Sequence, residues 1–164
     1  MSSQITNPTA AILVIGDEIL SGRTKEKNIG WLAEQLNEQG IQLMEARVIA
    51  DKKQVIVETI QTLSKIYDLV FTSGGIGPTH DDITTASIAE AFGVDVILHP
   101  EAEARLVSHY ANTGLEFNAA RKKMANVPET ATLIDNPLSA APGFIIRNVY
   151  VLPGVPTILQ AMFE

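Results

Sequence analysis

Two apolar segments, each ending at a small residue, constrain the fold of this chain more than any other feature. Residues 10–16 read A-A-I-L-V-I-G and residues 68–73 read D-L-V-F-T-S, with no regular alternation of apolar and polar side chains. Uninterrupted runs of this length are typical of strands buried on both faces, as in parallel sheets covered by helices. The sequence therefore predicts a buried, mostly parallel sheet.

Helical patterns fill the intervals between the predicted strands. Apolar residues recur at helical spacing over 29–36, and Gly40 is placed to end that helix. The other segments of this half are strand-like over 41–49, helical around 56–63, helical over 82–92 and strand-like over 94–98. Such an alternation predicts an α/β fold with right-handed crossovers and helices on both faces of the sheet.

The last third of the chain is organised differently. Residues 101–125 have a helical pattern that is interrupted near Gly114. Two strand-like segments, 143–146 and 149–152, are separated by two residues, as in a β-hairpin. The final residues begin a helical pattern that stops abruptly. We therefore expect a single domain over residues 1–164 that is a fragment or a shortened form of a longer chain.

Composition excludes several classes of function. The 164 residues carry a net charge of −7 without a Lys/Arg cluster, which argues against a protein that binds nucleic acid or anionic membranes. No cysteine is present, so disulfides, thiolate metal sites and a cysteine nucleophile are excluded. The N-terminus is polar and no apolar stretch is long enough to span a bilayer, so we expect a cytoplasmic protein.

A glycine-rich stretch follows the second buried run. Residues 72–82 read T-S-G-G-I-G-P-T-H-D-D, at the junction of a predicted strand and a predicted helix. Ligands of open α/β sheets bind at the carboxyl ends of the strands, where glycines and a helix N-terminus let backbone N–H groups face an anion. We predict a phosphate-binding loop here, with hydroxyl donors from Thr72, Ser73 and Thr79. The stretch matches neither the P-loop nor the dinucleotide-binding pattern.

Acidic residues collect beside this predicted anion site. Asp81 and Asp82 end the glycine-rich stretch, Asp17 and Glu18 follow the first strand, and Asp51 follows the second. Two explanations stay open for them. They have an ordinary structural role, as helix caps or solvated turns, or they bind a hard cation such as Mg²⁺ that bridges phosphate oxygens. A cation would remove the repulsion between carboxylates and a phosphate.

These motifs together resemble one known family. The segments G-D-E-I-L-S-G-R at 16–23, Asn28, T-S-G-G-I-G-P-T-H-D-D-I-T at 72–84 and L-P-G-V-P at 152–156 resemble the molybdenum-cofactor-biosynthesis, or molybdopterin-binding, domain. Arg121, Asn136 and A-P-G-F at 141–144 are similar to the subgroup found at the N-terminus of the competence/damage-inducible CinA proteins. The resemblance runs from about Ala10 to the end of the chain.

The resemblance implies a three-layer α/β/α fold with a mixed sheet. It also implies a pterin-phosphate or nucleotide-like ligand at the glycine-rich stretch 72–82, which we call the glycine loop. Some family members adenylate molybdopterin or insert metal into it. Some CinA-type domains are metal-dependent pyrophosphatases that act on ADP-ribose, and related domains accompany FAD synthetases. The resemblance also implies a homo-oligomer, for which we expect a dimer. Membership of such a family fixes the pocket better than it fixes the reaction.

The residues and the resemblance together assign roles to individual positions. Asp82 and Asp51 are the expected catalytic residues, and Asp82 and Asp17 are the expected ligands of a Mg²⁺ or Co²⁺ ion. The expected residues for binding the ligand and its phosphate are Gly16, Asp17, Glu18, Asn28, Thr72, Ser73, Gly74, Gly75, Ile76, Gly77, Pro78, Thr79, Asn136, Pro153 and Gly154.

The chain departs from the family pattern at three positions. Ile76 replaces a threonine of the glycine motif, which is common in the CinA-like branch and points away from the enzymes of molybdopterin metabolism. Glu26 replaces the aspartate that usually comes two residues before Asn28. Ser139 replaces a glycine, so the turn around it is expected to differ.

Three functions stay open at this stage. The first is binding of molybdopterin or of a related phosphorylated pterin or nucleotide. The second is metal-dependent hydrolysis of a nucleotide pyrophosphate such as ADP-ribose or FAD, with the acids holding the cation. The third is an oligomerisation module with a vestigial pocket.

Overall fold

The computed structural model describes residues 6–163. The strands in this part of the chain are β1 Thr9–Ile15, β2 Gln42–Ile49, β3 Leu69–Ser73, β4 Val96–Leu98, β5 Asn126–Pro128, β6 Thr132–Ile134, β7 Gly143–Ile146 and β8 Val149–Leu152. The helices are α1 Asp17–Leu20, α2 Asn28–Glu38, α3 Lys53–Ile66, α4 Thr84–Ala91, α5 Pro100–Ala111, α6 Ala119–Lys122 and α7 Pro156–Phe163, with a 3₁₀ turn at Lys123–Ala125. None of the helices in the described residues has the length and apolar character needed to cross a membrane.

The central sheet has six strands in the order β2-β1-β3-β8-β7-β6. β1 pairs in parallel with β2 and β3, and β3 pairs in parallel with β8. β7 and β6 continue the sheet in antiparallel pairing. The predicted α/β fold with a mostly parallel, mixed sheet is therefore confirmed, and so is the hairpin of β7 and β8.

The alternation of side chains along β1 divides the core into two layers. The odd-numbered residues from Ala11 to Ile15 pack with apolar residues of α3 and α4. The even-numbered residues from Ala10 to Val14 pack with apolar residues of α2 and α7. Successive side chains of a strand point to opposite faces of the sheet. The uninterrupted apolar run of β1 is explained by this arrangement, because helices cover both faces.

Residues 96–128 form an excursion beside the main sheet. The strand expected at 94–98 is present as β4, but it pairs antiparallel with β5 and does not join the six-stranded sheet. β5, the strand that follows the helical segments of the excursion, supplies the backbone hydrogen-bond partners of β4. The excursion has a small core of its own around Leu106.

The tight turn of the hairpin places β8 beside β3. Arg147 has a φ of 52°, the left-handed conformation that two-residue hairpin turns require. The Asn148 side-chain amide donates to the carbonyls of Ser64 and Tyr67 at 2.9 Å and 3.0 Å, which fixes the turn against the end of α3. The loop after β8 therefore reaches the same edge of the sheet as the glycine loop after β3.

Candidate ligand-binding site

Three loops meet at the carboxyl edge of the parallel strands. They follow β1, β3 and β8, which are neighbours in the sheet. Together with the loop that precedes β7, they surround a cavity of about 490 Å³. Small-molecule sites typically have volumes of about 300–1,000 Å³ and lie at this edge of α/β sheets.

The glycine loop is held in place by close packing against β1 and α4. Gly74 and Gly75 have φ angles of 102° and 78°, and a Cβ at Gly74 would lie 2.3 Å from the carbonyl oxygen of Ile15. Thr84, the first residue of α4, donates its hydroxyl to the Gly74 carbonyl and its N–H to the Gly75 carbonyl, both at 3.0 Å. The directions of the loop's peptide groups are therefore fixed by the fold itself.

Three successive residues of this loop have peptide N–H groups without a protein acceptor in the described part of the chain. The N–H groups of Gly75, Ile76 and Gly77 donate to no protein acceptor within residues 6–163, whereas the Gly74 N–H donates to the Leu152 carbonyl at 3.1 Å. Gly75, Ile76 and Gly77 all line the cavity. Consecutive backbone donors of this kind form concave sites that favour anions.

The two acids that end the glycine loop have different positions. α4 begins at Thr84 and no side chain caps it, so the helix-cap explanation does not hold for either acid. Asp82 lines the cavity, and its Oδ2 accepts hydrogen bonds from the N–H and the hydroxyl of Thr79 at 2.9 Å and 2.8 Å. The Asp81 side chain is 81% exposed, and Asp81 does not line the cavity.

Asn28 joins three elements at the floor of the site. Its Nδ2 donates to the Ser73 hydroxyl at 2.8 Å and to the Gly154 carbonyl at 3.0 Å, so it ties α2 to the loops after β3 and β8. The residue is 5% exposed and lines the cavity. Its Oδ1 is buried and has no hydrogen-bond partner within the described residues. A buried amide oxygen without a donor is costly, and a ligand donor would satisfy it.

Asp17 and Asp51 bind each other's backbone at the mouth of the site. The Asp17 N–H donates to Asp51 Oδ2 at 3.0 Å, and the Asp51 N–H donates to Asp17 Oδ1 at 3.1 Å. Burial raises the pKa of the Asp51 carboxyl above its usual value, the hydrogen bond from Asp17 opposes this shift, and the charges of Asp17, Glu18 and Asp82 add to it. Asp51 is not the cap of α3, because that position belongs to Lys52.

Replacing Asp51 with asparagine is expected to stabilise the protein at neutral pH. Folding raises the pKa of the Asp51 carboxyl, so the protein loses stability as the pH rises from the usual pKa of 3.8 to the higher pKa of the folded state. The loss persists at all higher pH values. Because Asp51 is partly solvated, we expect the gain to be below about 1 kcal/mol. Melting temperatures of Asp51→Asn and the wild type should differ near pH 7 and converge below pH 3.8. A variant that is less stable only near pH 7 would contradict this expectation.

The structure brings most of the predicted residues to the cavity. Those that line it are Glu18, Asn28, Ser73, Gly74, Gly75, Ile76, Gly77, Pro78, Asp82, Asn136, Pro153 and Gly154. Those that lie outside its lining are Gly16, Asp17, Asp51, Thr72 and Thr79. The Glu18 side chain covers Gly16, and a Cβ at Gly16 would lie 2.6 Å from Glu18 Oε1.

Several cavity residues were not expected from the sequence. Lys25 and Lys27, in the loop before α2, bring positive charge to the lining. Glu26, between them, accepts hydrogen bonds from the N–H groups of Asn28 and Ile29, so it occupies the N-terminus of α2. The charged run K-E-K just before a predicted helix was the available signal for this part of the site.

The family follows from a comparison with known proteins. The model of the probable molybdopterin binding domain matches residues 11–164. The chain belongs to this family. The CinA-like subgroup is confirmed as well, because the crystal structure of the protein CinA from Thermoplasma acidophilum, a protein with unknown function, has 32% identity to the chain. That structure superposes with a TM-score of 0.87 and covers 96% of this chain and 95% of its own.

Some similar proteins are longer than this chain, and some solved structures share only its fold. A protein of Pyrobaculum calidifontis is 36% identical over 161 residues, which is 96% of this chain and 62% of that protein. A CinA-like protein of Sulfurihydrogenibium is 35% identical over 160 residues, which is 94% of this chain and 40% of that protein. The molybdopterin biosynthesis enzyme MoaB of Thermus thermophilus shares the fold with a TM-score of 0.64 at 19% identity, over 96% of this chain and 87% of MoaB.

Asn136 builds the turn around Ser139, the position where the resemblance implied a glycine. Asn136 Nδ2 donates to the Ser139 hydroxyl at 2.7 Å and to the Ala141 carbonyl at 2.9 Å. Its Oδ1 accepts the N–H groups of Leu138 and Ser139, both at 3.0 Å. The left-handed conformation falls one residue later, on Ala140, with a φ of 65°. Ser139 is thus accommodated by a side-chain hydrogen bond, and Ala140 carries the strain.

Replacing Ala140 with glycine is expected to stabilise the protein by up to about 1 kcal/mol. Relief of the left-handed strain is worth about 1–2 kcal/mol, and the greater freedom of glycine in the unfolded chain offsets about half of it. Urea denaturation checks this value. The matched control is Ala141→Gly, which has no left-handed φ to relieve and should lose about 0.5–1 kcal/mol. Equal losses in both variants would contradict the prediction.

The predicted metal ligands do not form a ready site in this member of the family. Within residues 6–163, no group of three or more His, Cys, Asp or Glu side chains is placed to hold a metal ion. Asp17 is engaged with Asp51, and one oxygen of Asp82 is engaged with Thr79. The residues present therefore do not fit a preformed Mg²⁺ or Co²⁺ site, and a cation would need oxygens of a ligand to complete its coordination.

Proposed function

We propose that the cavity binds a phosphorylated ligand of the pterin or nucleotide class, with an anionic group at the glycine loop. The observation that carries this proposal is the row of free N–H groups on Gly75, Ile76 and Gly77 at the cavity wall. Each such donor would give a charge-assisted hydrogen bond to a phosphate oxygen. Because the fold holds the loop in this conformation, the ligand does not have to order it.

The rest of the cavity suits the body of such a ligand. Its walls include the apolar side chains of Val14, Ile19 and Ile158, against which a flat ring system could pack. The free Oδ1 of Asn28 would accept a hydrogen bond from a ring N–H or a ribose hydroxyl. Apolar walls with few, well-placed polar groups are typical of small-molecule sites. Molybdopterin, a phosphorylated pterin, is one ligand with these features, and ADP-ribose is another.

Charged side chains of both signs line the cavity. Lys25 and Lys27 are among them, and so are Glu18 and Asp82. Neither lysine lies within 4.0 Å of a carboxylate in the described part of the chain. We infer that the lysines attract anionic ligands, an effect that salt should screen.

Hydrolysis of a nucleotide pyrophosphate is the second candidate function. The observation in its favour is the raised pKa of Asp51, which lies beside further carboxylates, because perturbed carboxyl groups are typical of general acids and bases. It stands second because Asp51 does not line the cavity and the acids form no ready cation site within the described residues. In this alternative, Asp51 would have to act at the mouth of the site.

Phosphorus NMR of ADP-ribose and of FAD mixed with the protein would test both candidates. The spectra would be recorded with EDTA and then with Mg²⁺ or Co²⁺. Resonances that broaden with added protein and keep their area would support binding. Loss of the pyrophosphate resonances only with metal would support hydrolysis. If neither compound nor a pterin phosphate broadens, and none raises the melting temperature, the binding proposal fails and an oligomerisation role gains support.

A further inference from the structure

Lys123 contacts the glycine loop from outside the cavity. It lies in the 3₁₀ turn that precedes β5 in the excursion, and its ammonium group donates to the carbonyls of Thr79 and Asp82, the latter at 2.8 Å. Thus a residue 41 positions later in the chain binds both ends of the segment 79–82. Lys123 is not part of the motifs by which the family resemblance was identified.

The segment that Lys123 binds is a small turn with little other support. The Asp82 N–H donates to the Thr79 carbonyl at 3.1 Å, and Asp82 Oδ2 accepts from the Thr79 N–H at 2.9 Å. Residues 78–81 are exposed, so packing in the core does not hold them. Few buried contacts and solvent-exposed hydrogen bonds are typical of segments that open locally. The two bonds from Lys123 are the main tie between this turn and the rest of the protein.

We propose that Lys123 is a positioning residue that keeps the Asp82 carboxylate on the cavity wall and couples the excursion to the glycine loop. This inference rests on the proposed function, because it concerns the placement of a group beside the bound anion. The ammonium donors satisfy the two carbonyls, and the positive charge offsets part of the negative charge of Asp17, Glu18, Asp51 and Asp82. Without Lys123, the turn would open and the carboxylate would leave its place beside Gly77.

A nearby void makes this proposal testable by substitution. Lys123 and Asp82 both line a small cavity of about 70 Å³ next to the main one. A side chain of similar length therefore has room at this position, and Lys123→Met removes the charge and the donors with little change in volume. Lys123→Arg keeps a cationic donor. Lys122→Met is the matched control, because the Lys122 ammonium lies 3.7 Å from Glu103 and does not bind the loop.

Two measurements on these variants test the proposal. In hydrogen exchange, the Thr79 and Asp82 amides should exchange at least about tenfold faster in Lys123→Met than in the wild type, with Lys123→Arg close to wild type and Lys122→Met unchanged. In calorimetry with inorganic pyrophosphate as the probe and excess Mg²⁺ present, Lys123→Met should bind about tenfold more weakly, and Lys123→Arg should restore most of the affinity.

The outcomes separate this inference from the proposed function. Unchanged exchange of the two amides in Lys123→Met would overturn the inference even if pyrophosphate binds. Faster exchange with unchanged pyrophosphate affinity would overturn it too, because Lys123 would then stabilise the turn without positioning anything for the ligand. If the wild type binds neither pyrophosphate nor ADP-ribose, the proposed function fails, and faster exchange would then leave Lys123 with a structural role only.

Discussion

Replacing Gly75 with alanine is expected to destabilise the fold by about 2–5 kcal/mol. A Cβ at this position would lie 1.9 Å from Thr84 Oγ1 and 2.9 Å from Thr84 Cβ. Relief of this clash requires α4 or the loop to move, at a cost of about 1–3 kcal/mol for an overpacked site. The φ of 78° adds about 1–2 kcal/mol, because residues with a side chain disfavour this conformation. The free energy of unfolding from urea denaturation measures the effect.

Gly93→Ala separates the two causes of this loss. Gly93 also has a left-handed φ, of 67°, but a Cβ there would meet no atom within 4 Å. We expect Gly93→Ala to lose only the conformational part, about 1–2 kcal/mol. The difference between the two variants then measures the contact with Thr84. Equal losses would mean that the glycine loop is not packed against α4 as the structure describes.

This packing changes what the glycines mean for function. The sequence suggested that glycines occur here so that the backbone could approach a phosphate. In the structure, packing alone explains why glycine is required at positions 74 and 75, because β1 and α4 leave no room for a side chain there. A glycine variant would therefore lose binding simply by disturbing the fold. Tests of the anion site have to use residues whose side chains face the cavity.

The fold was predictable where the burial of a segment has a simple periodic signature. The apolar run of β1 requires cover on both faces, and helical spacing marks α2 and α3, so a layered α/β arrangement follows from these segments alone. The place of β4 was not predictable in this way. Its pairing depends on β5, about 30 residues later, and a three-residue apolar strand has the same pattern in either sheet. The short helix α1 was not predictable either, because it has too few residues to show a period.

The candidate site was predictable where its residues adjoin one another in sequence. Ser73 and Thr72 illustrate the limit of this approach. Both were predicted to bind the ligand because they lie at the end of β3. Side chains alternate along a strand, so Ser73 lines the cavity while Thr72 is buried away from it. The contribution of Lys123 depends on where the excursion returns to the glycine loop. The contact between Lys123 and the loop comes from tertiary packing, so no local pattern in the sequence predicts it.

Asp82→Asn is expected to change ligand affinity in opposite directions with and without a divalent cation. In EDTA, the variant should bind ADP-ribose about fivefold more tightly, because a carboxylate close to a phosphate repels it by about 1 kcal/mol. With excess Mg²⁺, the variant should bind at least about tenfold more weakly than the wild type, since one carboxylate oxygen is lost to the cation. Calorimetric titrations under the two conditions measure both differences.

Asp81→Asn is the matched control for this reversal. It removes the same charge at the adjacent position, but Asp81 is exposed and lies outside the cavity lining, with its Oδ1 3.3 Å from His80 Nε2. Its affinity for ADP-ribose should stay within about twofold of the wild type in both conditions, because solvent screens an exposed charge. A similar response in both variants would mean that only the net charge of the loop matters. Asp82 would then have no specific place beside the anion.

The sign of the Asp82→Asn effect also decides between the functions that the site allows. A gain of affinity in EDTA that persists in Mg²⁺ would place the carboxylate beside the phosphate without a cation, which is compatible with binding and not with hydrolysis. A reversal in Mg²⁺ would mean that ligand and protein complete a cation site together, which the acids alone do not form within residues 6–163. Pyrophosphate hydrolysis needs that second arrangement, because the charge that develops on the departing phosphate must be neutralised. The binding titration therefore tests a requirement of catalysis even if no turnover is detected.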